Sequence, residues 1–136
     1  MTEMMIKIDE AAVASVVRKL GSLEKLVERM DRPMDRAVQV LWQTLSTYPP
    51  RPSQSTYRRT GTLGRRWTKD VQRNGETLVG SVGNNTAYAI YVQSEQYQVA
   101  VHRATGWITD EQARSDKERA IMYEFDREIA RIIEAP

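Results

Sequence analysis

The chain has no cysteine and a single histidine, and these two shortages remove most of the chemistry a small protein performs. Without cysteine there is no disulfide, no thiolate nucleophile and no Cys-based zinc site, so the fold depends on packing alone, as suits a reducing compartment. The one histidine, His102, stands beside Arg103 on an expected strand, without the clustered carboxylates or second imidazole that metal or acid–base catalysis needs. Ser53 and Ser55 lie among prolines with no base arranged to activate them. Gly61-Thr62-Leu63-Gly64 lacks both the Lys-Ser/Thr of a phosphate loop and the third glycine of a dinucleotide fingerprint. The sequence thus offers no catalytic residue, no metal set and no cofactor cradle, and the expectation is a protein that is not an enzyme. No run approaches the ~18 consecutive apolar residues of a membrane span, and the opening MTEMMIKIDE is no signal peptide. A soluble cytoplasmic product with no membrane partner is expected.

What is present fits one domain spanning residues 1–136: 40% of the residues are hydrophobic and 28% charged, enough for a single core. The formal charge of +2 conceals a strong local bias. Between Arg51 and Arg73 seven basic residues stand against one acid, Asp70, a balance of +6, whereas residues 110–136 carry eight acids and five bases, a balance of −3. Such polarity suits an acidic partner, nucleic acid, or the acidic face of another copy.

Apolar residues from Val13 through Val16, Leu20, Leu23, Val27, Met30, Met34, Val38 and Leu41 to Leu45 recur by threes and fours, the stripe of amphipathic helices. Gly21-Ser22 and Pro33 predict two or three segments in residues 1–47, with Asp31 or Arg32 as cap before Pro33. The alternation of Met4, Ile6 and Ile8 suggests a short edge strand. Pro49, Pro50 and Pro52 then fix φ and remove three donors, so residues 48–62 form an extended arm. Asn74-Gly75 predicts a two-residue hairpin loop in which Arg73 faces Glu76, Val71 faces Leu78, Lys69 faces Gly80 and Trp67 faces Val82. That register turns Trp67 inward and Arg66 outward. Residues 87–92 suit one helical turn or a strand, and the alternation of Tyr97, Val99 and Val101 predicts a further strand, giving an antiparallel sheet over 63–108. Thr109 with Gln112 makes a capping box for a long helix over 109–134, its stripe drawn from Ile121, Met122, Phe125, Ile129, Ile132 and Ile133. The fold class read from the sequence is α+β, with N-terminal helices and a long C-terminal helix packed on a small antiparallel sheet.

The order of these features, with Arg59-Thr60-Gly61-Thr62-Leu63-Gly64-Arg65 before the hairpin and Ala87-Tyr88-Ala89-Ile90-Tyr91-Val92 after it, resembles the small neck proteins of tailed bacteriophages. These are the head-tail joining or tail-completion components, often labelled minor tail proteins. Gln93-Ser94-Glu95-Gln96 follows where members of that family often carry an acidic residue and a Gly-Thr step. The resemblance implies a structural protein of the virion, assembled in the bacterial cytoplasm, that forms a six- or twelve-fold ring and contacts portal or adaptor and tail-tube proteins. Nucleic acid would meet it only as the genome passes through the ring. A ring of identical subunits needs two different complementary faces, and the basic arm and acidic final helix supply a pair. The expected interface residues are Arg51, Tyr57, Arg58, Arg59, Thr60, Gly61, Arg65 and Arg66, with Thr60-Gly61 as the hinge between arm and strand. The alternative is a basic nucleic-acid-binding accessory protein, in which the same arginines hold phosphate while Tyr57 and Trp67 stack on bases.

Overall fold

The computed structural model describes residues 2–4, 10–53 and 59–135. The N-terminal stripe becomes three helices, α1 (Glu10–Leu20), α2 (Leu23–Arg29) and α3 (Asp31–Ser46). Gly21, at φ 99°, ends α1, and the Ser22 hydroxyl accepts from the Lys25 N–H to start α2. Met30 is both the last cap of α2 and the N-cap of α3, in place of the expected Asp31 or Arg32, and makes no side-chain cap bond. Pro33 is tolerated as the third residue of α3, where its missing N–H has no intrahelical acceptor.

The sheet is three-stranded, in the order β1 (Thr2–Met4), β3 (Thr77–Asn84), β2 (Trp67–Asn74), with both pairs antiparallel. The edge strand expected at 4–8 is found at Thr2–Met4, and residues 5–9 lie outside the described set. The hairpin register differs from the expectation by two residues: Trp67 pairs with Asn84, Lys69 with Val82, Val71 with Gly80, and Asn74 with Thr77. The loop is therefore Gly75-Glu76. Gly75 alone takes a positive φ, 62°, at the first central position, the mark of a type II′ rather than a type I′ turn. A shift of two leaves the faces unchanged, so Trp67 and Val82 are buried as expected.

Helix α3 lies between the sheet and α7 (Asp110–Glu134) and touches both. Its residues Met34, Ala37, Val38, Leu41 and Leu45 form the centre of the core, against Ile121, Phe125, Ile129 and Ile132 of α7. Gly80 lets β3 approach α3 closely, since a Cβ there would stand 2.5 Å from Met34 Sδ and 2.6 Å from Val38 Cγ1. The Thr109–Gln112 capping box forms, with the Gln112 N–H 3.1 Å from Thr109 Oγ1 and the Thr109 N–H 3.0 Å from Gln112 Oε1. At the other end Lys19 of α1 donates to the carbonyls of Ile133 and Ala135, a cation at a helix C-terminus. The helices and sheet together make an α+β fold.

The expected sheet over 63–108 is corrected. It begins at Trp67 and ends at Asn84; the rest holds three short helices, α4 (Thr62–Arg65), α5 (Ala89–Gln93) and α6 (Ala100–Ala104). The alternation at 97–101 misled because the polar member is the one taken inside. Gln98 donates from Nε2 to the carbonyls of Val92 and Trp107, both at 2.8 Å, while Tyr97, Val99 and Val101 face out.

Candidate docking site

The arm begins at Tyr48, and its ring closes a small second core made of Leu63, Ala89 and Val92, with Trp107 on its other side. The two segments that carried the resemblance, 59–65 and 87–92, thus pack on one another. Each small residue of the first has a physical reason. Gly61 takes φ 79° as the N-cap of α4, and a Cβ on Gly64 would stand 2.9 Å from the Tyr48 ring and 3.2 Å from the Ser46 carbonyl. The Gly64 N–H donates to the Tyr48 hydroxyl at 2.9 Å, and Asn84 Nδ2 donates to the Leu63 carbonyl at 2.8 Å. Thr60-Gly61 does not lead straight into a strand, because α4 intervenes before β2.

Arg59 is the pivot. Its Nη1 donates to the Pro49 carbonyl at 2.6 Å, and its guanidinium carbon lies 5.6 Å from the Tyr48 ring centroid and 5.3 Å from that of Trp107. Cation–π attraction and a charged hydrogen bond therefore fold Arg59 back on its own chain. Tyr48 and Trp107 are 4.9 Å apart, and His102 meets Trp107 edge-on at 6.0 Å. Partial burial there holds the His102 imidazole below its ordinary pKa, so it is neutral at pH 7.

These groups surround a cavity of about 280 Å³, open to solvent. Arg59, Thr60 and Gly61 line it together with Tyr48, Tyr88, Tyr91, His102 and Trp107. Arg65 adds charge to the rim, since a Cβ on Gly61 would stand 2.8 Å from its Nη1. Arg66, at the end of α4, is exposed. Residues 88–101 carry six exposed apolar side chains, Tyr88, Ile90, Tyr91, Tyr97, Val99 and Val101, with Tyr91 50% and Val101 62% exposed. Exposed apolar side chains crowded into one segment in this way mark a candidate interaction surface. Beneath it, the buried Gln93 amide donates to the Leu45 carbonyl at 3.0 Å and to that of Ile108 at 3.3 Å, joining α5 to the end of α3 and the approach to α7.

Of the expected interface residues, Arg59, Thr60 and Gly61 line the cavity, Arg65 edges it, and Arg51 is exposed on the arm. Tyr57 and Arg58 lie outside the described residues. Sequence reasoning missed the partners that complete the cavity, Tyr48, Tyr88, Tyr91, His102 and Trp107. The signal for two of them was present, since Tyr88 and Tyr91 stand in the segment 87–92 that carried the resemblance.

The acidic counterface is smaller than the sequence balance suggested. Glu124 pairs with Arg36 at 2.5 Å and Glu128 with Arg29 at 2.9 Å, so two acids of α7 turn toward α3 and α2. Trp67 is buried, which removes it as a stacking platform for nucleic acid. Among the described residues no three His, Asp or Glu side chains gather as a metal site, and no helix is long and apolar enough to cross a membrane. No family model matches the chain, and the searches of curated proteins and of solved structures found nothing similar.

Proposed function

We propose that the protein is a non-enzymatic assembly part of a tailed phage virion, a ring component at the head-tail junction that completes the tail or joins it to the head. The observation that carries this reading is the packing of residues 59–65 against 87–92, which gathers arginines and exposed tyrosines on one face apart from the main core. An interface rich in Tyr, Trp and Arg is how proteins build docking surfaces. A closed ring of identical subunits uses head-to-tail contacts, so one face of this kind meets a different face of the neighbour. The partners in this reading are other copies of the chain and the portal-side and tube proteins above and below.

Purified tailed particles from a host carrying the gene should contain the chain at the stoichiometry of one ring when analysed by quantitative mass spectrometry. Recovery of portal and tube proteins without it would overturn the reading, as would flanking genes unrelated to capsid or tail. The second reading, a nucleic-acid accessory protein, draws on Arg59, with Arg65 beside Gly61, at the cavity that the exposed Tyr88 and Tyr91 also line. It requires affinity for single-stranded DNA that falls steeply with salt; a flat titration at low salt would remove it.

A further inference from the structure

We infer that the cavity between the arm and α5–α6 receives one apolar or aromatic side chain flanked by carboxylates, from an acidic segment of another protein. The inference deepens the assembly reading and rests on it for the class of partner. Size comes first. At about 280 Å³, the cavity sits at the bottom of the ~300–1,000 Å³ range of small-molecule pockets and has room for an anchoring side chain.

The walls decide the anchor's chemistry. Tyr48, Tyr91 and Trp107 offer ring faces, and the neutral His102 adds a further edge without charge. An apolar or aromatic group is therefore the one that loses least and gains most there.

The rim decides the flanking charge. Arg59 and Arg65 stand on either side of Thr60-Gly61, and among the described residues neither pairs with a carboxylate. Arg59 is already oriented by the Pro49 carbonyl and two rings, so little side-chain freedom remains to be lost when an anion arrives. One pre-positioned cation, with a second beside Gly61, next to an apolar hole complements an acidic peptide with an apolar anchor. A nucleic acid would use the same cations, but the exposed Ile90, Val99 and Val101 of the same segment, 88–102, that supplies Tyr88, Tyr91 and His102 to the cavity give a phosphodiester chain nothing to bind and favour a protein surface.

The test uses the full chain and three blocked peptides, each with a central phenylalanine flanked on both sides by glutamate, glutamine or lysine, together with a thymidine oligonucleotide. Binding is followed by tryptophan fluorescence and confirmed by calorimetry at low salt. The glutamate peptide should bind about tenfold more tightly than the glutamine peptide, the effect of one or two charge-assisted hydrogen bonds. That preference should vanish in Arg59→Gln and Arg65→Gln, while Tyr91→Ala should weaken the glutamate and glutamine peptides alike. Equal binding of the lysine peptide, tighter binding of the oligonucleotide, or variants indistinguishable from the parent would overturn the inference. If Arg59→Gln proves unfolded by circular dichroism, Arg65→Gln and Tyr91→Ala still decide. Presence of the chain in virions with no preference among the peptides sinks the cavity assignment and leaves the assembly reading standing. The preference without the chain in virions does the reverse.

Discussion

Two groups of arginines in this molecule have opposite fates. Against the helices, Arg29, Arg36 and Arg73 each meet a carboxylate, Glu128, Glu124 and Asp31, within 3.1 Å. On the arm side Arg59 stacks on rings and binds a carbonyl, and neither it nor Arg65, Arg66 and Arg103 meets an acid among the described residues. The apolar side chains divide less sharply, since Tyr123 and Ile133 of α7 are exposed too. Val16, Leu41 and Leu45 are fully enclosed, whereas Tyr91 and Val101 stand half or more in solvent. One group spends its charge and apolar area on the fold, and the other leaves both exposed.

The strongest way to break that contrast is Leu41→Ala against Tyr91→Ala. Removing the enclosed leucine should cost about 2–5 kcal/mol in guanidinium unfolding, with the cavity term included, while the exposed tyrosine should cost no more than about 0.5 kcal/mol. Comparable losses would mean the arm side belongs to the stabilising core. Gly80→Ala comes next, at about 1–3 kcal/mol of overpacking against Met34 and Val38; an unchanged midpoint would show that β3 has room to retreat. Glu128→Gln sharpens the charge half of the contrast. Glu128 is buried and its partner Arg29 is half exposed, so the loss should be about 1–2 kcal/mol after allowing for solvent screening, against no measurable change for Arg65→Gln. The smallest effect concerns His102. Because its folded-state pKa is lowered, the unfolded chain binds more protons in the window between the two values, so stability rises with pH through that window and levels off above the unfolded value. Proton-coupled NMR should place the titration below that of a free imidazole, and His102→Gln should flatten the slope.

Local rules made one side legible and left the other obscure. The spacing from Val13 to Leu45 gave the three helices and their core because period 3.6 is a short-range signal, and Thr109 with Gln112 announced the start of α7 for the same reason. The hairpin was visible at Asn74-Gly75, but its register turned on which residue takes positive φ, and only Gly75 does. Around the cavity the determinants are tertiary. Gln98 is drawn inward by carbonyls of Val92 and Trp107, which reverses the inside and outside of a period-two pattern. Arg59, Thr60 and Gly61 could be singled out in sequence. That Tyr48 and Trp107 would stack beside them could not, because these residues meet only after α3, α5 and α6 have packed.

Gln93 sets the mechanical character of the docking face. Its amide binds the last turn of α3 and the residue before the α7 cap, so α5 cannot swing away without exposing two buried carbonyls and abandoning the Leu63–Val92 contact. Amides of α5 should therefore exchange more slowly than the exposure of its side chains suggests. The exposed face that α5 carries is pinned to the core from below.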